Sequence, residues 1–272
     1  MPDLLTDDWF AALEKRHGSA YSRPELLKAI RALSVRYVER RASFVRESPL
    51  DSAGKRAAFA LFYAPLHLIT TREILRGLGP VRAVRTIVDL GCGTGVAGAA
   101  WAASIDPRPS IQGLDELGWA IDEANWNWRT LGLGGRARRG DLVEAAAQLA
   151  RATPRDGDNT VGIVLGWSVN ELAADRRTAL LAFLMQLARR GTALLVIEPI
   201  ARRLTPWFDG WRDAFVKAGG RADEWRFTID LPPRLAALDR DAGFDREELS
   251  AKSLAINLTL ADSRGPALPE VR

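Results

Sequence analysis

From Arg85 onward, short apolar runs alternate with longer stretches in which apolar positions return every three or four residues. This switching of period predicts strands near 86–90, 110–114, 136–140, 160–166 and 192–197, and helices near 96–104, 117–131, 142–152, 171–190 and 206–218. Strands and helices in strict alternation imply a parallel sheet covered by helices on both faces, an α/β fold. Residues 1–80 read differently. "DDWFAALEKRH", "RPELLKAIRALSVRYVERRASFV" and "KRAAFALFYAPLHLITTREILRGLG" keep helical spacing with no strand between them, and the last ends on glycine. Near the end, "EWRFTIDLP" (224–232) and "ELSAKSLAINLTL" (248–260) are strand-like. The helix "PRLAALDRDAG" between them leaves no room for a further parallel crossover, so an antiparallel pair at the sheet edge is expected. The expected division is a helical region over 1–80, a sheet domain over 81–262 and a tail over 263–272, hinged at "GLGPVRA" (77–83).

Composition removes several classes of function. The chain has 272 residues, 47% of them hydrophobic, enough for one large core or for one core plus a small satellite domain. A single cysteine, Cys92, excludes a disulfide framework and cysteine-only metal cages or iron–sulfur clusters. His17 and His67 stand apart in sequence, so no metal is expected. The first thirty residues carry many charges and no apolar run suited to a signal peptide, and no window suits a membrane helix. A cytoplasmic protein without membrane contact is the expectation. The net charge of +4 does not by itself announce a nucleic-acid binder, although basic clusters stand at 39–46 and 134–140.

The stretch "TIVDLGCGTGVAGAAWA" (86–102) places glycines at 91, 93, 95 and 98 between a strand and a helix. Such a turn lets a ligand approach backbone N–H groups at the positive end of a helix dipole. Gly93, Gly95 and Gly98 also satisfy the dinucleotide pattern G-x-G-x-x-G, which admits an NAD-dependent oxidoreductase. Against that, Asp89 stands two residues before the first glycine, where an acid would attract a cationic ligand group and repel a diphosphate.

"VDLGCGTG", an acid closing the second strand in "IQGLDELG" and another closing the third in "RRGDL" together resemble the class I S-adenosylmethionine-dependent methyltransferases. The resemblance implies a Rossmann-like seven-stranded methyltransferase sheet, mostly parallel with an antiparallel last strand. It implies S-adenosylmethionine as cofactor and S-adenosylhomocysteine as product. By that likeness Asp89, Gly91, Cys92, Gly93 and Gly95 surround the methionine part. Asp115, with Glu116 after it, accepts the ribose hydroxyls, Asp141 with Leu142 meets the adenine, and Trp167 lines the pocket. Asp115 also reads as a loop or capping acid, and Asp141 as an N-cap.

Sulfonium methyl transfer needs aligned partners and excluded water more than a nucleophilic residue of the enzyme. The fourth strand ends in Gly166-Trp167-Ser168-Val169-Asn170-Glu171. It lacks the Asn/Asp-Pro-Pro-aromatic motif of exocyclic base amine methylation, and it lacks the cysteine that pyrimidine carbon-five methylation requires. Candidates near the reacting centre are Tyr63, which could reach over the cofactor or be a core aromatic, Asn170 and Glu171, which could meet substrate or simply start the next helix, and Glu198 at the end of the fifth strand. Trp119 and Trp126 share one face of a helix, and Leu117, Ile121, Ala124 and Trp128 another; either stripe could be core, and the first could meet the N-terminal helices.

More narrowly, "AAFALFYAPLHLITTREIL", "SVNELAADRR", "LLVIEP" and "EWRFTIDLPPRLAALDRDAGFDREELSAKSLAI" are similar to the methyltransferase-like assembly factors of the mitochondrial ribosomal small subunit and their bacterial relatives. This chain lacks that family's cysteine set, so cluster binding is not implied. The acceptor is then a small molecule or ribosomal RNA, and a catalytically silent assembly module is the alternative. For an RNA partner, the arginines at 40, 41, 46, 136, 138 and 139 would ring the pocket mouth.

Overall fold

The computed structural model describes residues 5–39, 50–152 and 160–259. Among the described residues four α-helices come first: α1 (Asp7–Leu13), α2 (Arg23–Glu39), α3 (Ala53–Ala58) and α4 (Ala64–Leu78). A π-helical turn, Glu14–Gly18, follows α1, and a second, Phe59–Tyr63, joins α3 to α4. Thereafter come β1 (Thr86–Leu90), α5 (Val96–Ala103), β2 (Ser110–Asp115), α6 (Gly118–Thr130), β3 (Gly135–Arg139), α7 (Leu142–Ala152) and β4 (Val161–Gly166). The remaining elements are α8 (Ala174–Arg189), β5 (Ala193–Glu198), α9 (Phe208–Lys217), β6 (Arg221–Thr228), α10 (Pro233–Asp241) and β7 (Glu248–Ile256). Residues 40, 41 and 46 and the expected tail lie outside the described residues.

The strands form one sheet in the order β3-β2-β1-β4-β5-β7-β6. β1 to β5 are parallel, and β7 runs antiparallel between β5 and β6. This is the Rossmann-like methyltransferase fold that the alternating pattern and the resemblance anticipate. Strand order reverses between β1 and β4, so the crevice for a ligand opens at their carboxyl ends. Several boundaries differ from expectation. β6 spans 221–228 rather than 224–232, because Pro232 and Pro233 cannot donate to a ladder and Pro233 opens α10 instead. β7 stops at Ile256, where Asn257 turns left-handed and donates its amide to the carbonyls of Ala188 and Thr192. The helix expected over 171–190 begins as a 3-10 turn, Val169–Glu171, and becomes α8 only at Ala174.

Strand side chains alternate between two cores. Ile87, Ile111 and Leu195 pack with Trp101 and Trp128 on one face, while Val88, Ile163 and Val196 pack with Leu184 and Phe215 on the other. On the first face α4 lies against α5, and Gly77 lets it approach Trp225 so closely that a Cβ would stand 2.5 Å from the indole. The N-terminal helices are fastened to α6. Trp9 Nε1 donates to Asn127 Oδ1 at 3.0 Å, and Asn127 Nδ2 donates to the Thr94 carbonyl at 2.9 Å. The fully buried Glu123 accepts from Arg16 at 2.7 Å and meets His17 Nε2 at 2.8 Å. Arg16 also lies over Trp126, and Phe59 meets Trp119 edge-on, so the Trp119 and Trp126 stripe faces the N-terminal helices. Ala124 and Trp128 are core, whereas Leu117 is exposed. At the far edge, Asn125 of α6 hydrogen-bonds both the N–H and the C=O of Ala137, in the middle of β3.

Asn127 is buried and serves two elements, so its truncation orphans a buried indole N–H and a buried carbonyl. Asn127→Ala should cost about 1–3 kcal/mol in urea denaturation, whereas Asn125→Asp, at a less buried position, should cost less.

Candidate functional site

The turn after β1 is left-handed at three glycines: φ is +70° at Gly91, +51° at Gly93 and +77° at Gly95. L-residues with a side chain rarely adopt such angles. Neighbours add a second reason at two of them. A Cβ on Gly91 would lie 2.6 Å from the Ser168 Cβ, and one on Gly95 would lie 2.7 Å from Trp128 Nε1. Both neighbours also hold the turn: Ser168 Oγ donates to the Leu90 carbonyl at 3.0 Å, and Trp128 Nε1 donates to the Gly95 carbonyl at 2.8 Å. At Gly93 a Cβ would meet nothing within 4 Å, so the turn is open at that point.

Two acids flank the turn. Asp115, where β2 ends, accepts from Gly93 N–H through Oδ2 and from Leu117 N–H through Oδ1, each at 2.9 Å. Burial raises its pKa, and these backbone donors work against that rise. It therefore serves the turn and the entry to α6 at once; each oxygen keeps a lone pair for a further donor. Asp89 is 1% exposed, and its Oδ2 accepts from Gly98 N–H at 2.9 Å. Gly98 is required by this contact, since a Cβ there would stand 2.7 Å from Asp89 Oδ2. The G-x-G-x-x-G match thus has a reason unrelated to a diphosphate. Asp89 Oδ1 and the buried Thr94 hydroxyl have no hydrogen-bond partner. Burial pushes the Asp89 carboxyl up to about 8, with the Asp115 charge adding to the rise. Among the described residues, no arginine or lysine pairs with Asp89 or Asp115. Cys92 is buried, and burial together with Asp89 and Asp115 drives its thiol upward, which leaves it an inert packing group.

The other expected residues separate into two groups. Trp167 stands directly after β4 with φ +59°, unusual for a bulky residue and a marker of local strain. Its ring stacks on His67 of α4, with centroids 3.8 Å apart and planes 9° apart. Phe59 meets His67 edge-on at 5.8 Å and Trp119 at 6.4 Å, so aromatic rings run from the first turn of α6 to the end of β4. His67 and Phe59 were not singled out in the sequence as pocket residues, because the stack joins positions 100 residues apart. Asn170 and Glu198 come together as well. Asn170 N–H donates to the fully buried Glu198 at 3.2 Å, and its side-chain oxygen accepts from Trp207 Nε1. Glu116 and Glu171 are exposed beside these groups.

Tyr63 requires a correction. It is buried among the N-terminal helices and donates its hydroxyl to the Ile30 carbonyl at 3.2 Å, and burial pushes its pKa up to about 12. Its contacts make it a core aromatic and not a group reaching over the cofactor. Asp141 takes the N-cap role: Oδ1 accepts from the N–H groups of Val143 and Glu144, and Oδ2 pairs with Arg176. Burial raises its pKa, but Glu144, Arg176 and Val143 outweigh it and leave the carboxyl below its usual range. Leu142 packs its side chain toward Gly91. Among the described residues no cluster could hold a metal ion, and no helix is long and apolar enough to cross a membrane. Arg136, Arg138 and Arg139 are exposed on the edge strand β3. A groove of about 590 Å³, lined by Arg16, Asp122, Asn125, Arg129, Gly135 and Arg136, opens near the start of β3, away from the strands' carboxyl ends.

The model of the methyltransferase small domain family matches residues 70–151, from the middle of α4 to the last turn of α7. No curated protein matches the chain. Solved structures with a similar fold include the precorrin 8w decarboxylase of Methanobacterium thermoautotrophicum, at 21% identity over 69% of this chain and 88% of that one, with a TM-score of 0.44. A SAM-dependent methyltransferase from Aquifex aeolicus is 14% identical over 72% of this chain and 93% of that one, with a TM-score of 0.42. One from Agrobacterium tumefaciens is 15% identical over 70% and 61%, with a TM-score of 0.46.

Asp89 makes folding depend on pH in a defined direction. Its pKa is about 8 in the folded chain against about 3.9 when unfolded, so the folded state holds the extra proton. Stability should be full below pH ~4 and decline by up to about 1.4 kcal/mol per unit as pH rises to ~8. Chemical denaturation of the ligand-free protein at pH 6, 7 and 8 should show this component, and Asp89→Asn should remove it.

Proposed function

We propose that this protein transfers a methyl group from S-adenosylmethionine to a small acceptor. The observation that carries the reading is the coupling of Asp115 to the left-handed glycine turn, within a pair of acids that has no basic partner among the described residues. A site built this way suits a ligand with hydroxyl donors and a positive charge, and it opposes a dinucleotide diphosphate. The orphaned Asp89 oxygen and the open face at Gly93 fit such a ligand. The family match over 70–151 supports the same assignment.

When bound, the cofactor supplies an electrophilic sulfonium methyl. The glycine turn, whose own N–H groups at Gly91, Gly93 and Gly95 are held by Leu114, Asp115 and Cys92, would admit its methionine part at the open face of Gly93, Asp115 would accept the ribose hydroxyls, and the exposed Leu117 offers an apolar surface beside the adenine. Asp141 would contribute through the position of α7 and Leu142 rather than through a free carboxylate. The residues 1–80 act as the cover of the site: Phe59 and His67 from this region meet Trp119 and Trp167 from the sheet domain and exclude water from one side. This aromatic wall favours a small acceptor. Asn170 and Glu198, joined at the carboxyl edge, would position it.

One observation favours RNA as acceptor or partner instead: Arg136, Arg138 and Arg139 are exposed and make no ion pair among the described residues. Salt-sensitive binding of ribosomal RNA that vanishes when all three become alanine would replace the small-acceptor reading.

S-adenosylmethionine or S-adenosylhomocysteine at one hundred times its dissociation constant should stabilise the protein by about 2.7 kcal/mol, and NAD should not. A thermal shift with NAD alone would overturn the assignment. Asp115→Ala should weaken cofactor binding by roughly 1–3 kcal/mol in calorimetry, since the ribose loses a charged acceptor. Labelled methyl donor incubated with metabolite and RNA extracts separates an active enzyme from a silent binding module.

A further inference from the structure

Three ionisable groups meet at the glycine turn, and all of them become negative when they ionise. Asp89 comes from β1, Cys92 from the turn itself and Asp115 from β2. Asp89 is paired in the sheet with Gly113 of β2 and Val164 of β4, neither of which titrates. Against its other side lies α5, whose sequence "VAGAAWAA" carries no charge. Among the described residues, the titratable groups that act on Asp89 or are acted on by it are Asp115 and Cys92. One Asp89 oxygen is held by Gly98 N–H, and the other is buried without a partner. Ionising this carboxyl in the ligand-free protein means placing a charge in a dry site beside another acid. A positive charge delivered beside the pair removes that obstacle, and the sulfonium is the charge that the methyl donor carries and its product lacks.

On the methyl-transfer reading above, we propose that this acid pair distinguishes the methyl donor from the product by charge. Asp89 holds a proton in the ligand-free protein and releases it to solvent when the sulfonium of S-adenosylmethionine binds; S-adenosylhomocysteine, whose sulfur is a neutral thioether and whose positive charge is the α-ammonium that both ligands share, leaves the proton in place. The direction agrees with an Asp89 pKa of about 8 in the ligand-free chain. Donor affinity then rises with pH until about that value and levels above it, while product affinity changes less. Methyl transfer removes the positive charge from sulfur, so Asp89 takes a proton back and the site loosens its hold on the product. Asp115 keeps its role for both ligands, because each presents the same ribose.

The test is isothermal titration of the full chain with S-adenosylmethionine and with S-adenosylhomocysteine, in two buffers of unlike ionisation enthalpy. Both ligands share the same α-amino and carboxyl groups, so the difference between their proton counts reports on the sulfonium. At pH 7 the donor should release close to one proton more than the product, and the preference for donor over product should grow roughly tenfold between pH 6 and 7. In Asp89→Asn the extra proton should disappear and the preference should become flat with pH. Equal proton counts for the two ligands in the unaltered protein, a comparison that needs no variant, would overturn the inference and leave the methyl-transfer reading standing. Persistence of the extra proton in Asp89→Asn would do the same. Failure of both ligands to bind would remove the methyl-transfer reading and this inference together.

Discussion

A backbone that turns left-handed three times in five residues cannot hold itself, and the carboxyl end of this sheet depends on what pins it. The fixings come from four directions. Ser168 reaches in from the end of β4, Asp115 from the end of β2, Trp128 from α6, and Asp89 fixes α5 from below through Gly98. Three of these contacts occupy space that any Cβ on Gly91, Gly95 or Gly98 would need. The glycines are thus set by packing as much as by dihedral angle, and the turn is held in one shape before any ligand arrives.

The same helix that pins the turn also receives the N-terminal region. α6 presents Trp128 and Ala124 to the core and Glu123 and Asn127 to the N-terminal segment, with Asn127 passing one hydrogen bond to Trp9 and another to the Thr94 carbonyl inside the turn. The helical region therefore reaches the site along two routes, through this buried amide and through the aromatic wall at Phe59 and His67. The π-helical turns at Glu14–Gly18, carrying Arg16 and His17, and at Phe59–Tyr63, carrying Phe59, stand where these contacts form. Such turns are frequent at functional sites, since they re-aim side chains out of helical register.

Local pattern made much of this legible. The strands and helices from 86 to 218 follow from a change of hydrophobic period, and Asp115 is recognisable because it closes a strand at a fixed distance from the glycine turn. What escaped was fixed by long-range contacts. An acid at the end of β3 could meet a ligand or cap a helix; Arg176, 35 residues away, completes the second role for Asp141. Tyr63 sits on an apolar helix where either direction was open, and the carbonyl of Ile30 decides it. For Asp89 the sequence shows its place before the glycines but not that Gly98 N–H takes one of its oxygens. The His67 and Trp167 stack carries no sequence signal at all, because neither residue has a spacing or motif that refers to the other.

The amide of Asn125 has a consequence of another kind. β3 is an outer strand of the sheet, and an outer strand exposes a row of donors and acceptors on which a second chain can grow into an aggregate. By bonding both backbone groups of Ala137, Asn125 closes the central rung of that row, while charged arginines flank it at 136, 138 and 139. Plugged in the middle and charged on either side, the edge is a poor template for fibril growth. Those arginines accordingly have a use in colloidal self-protection that requires no anionic partner.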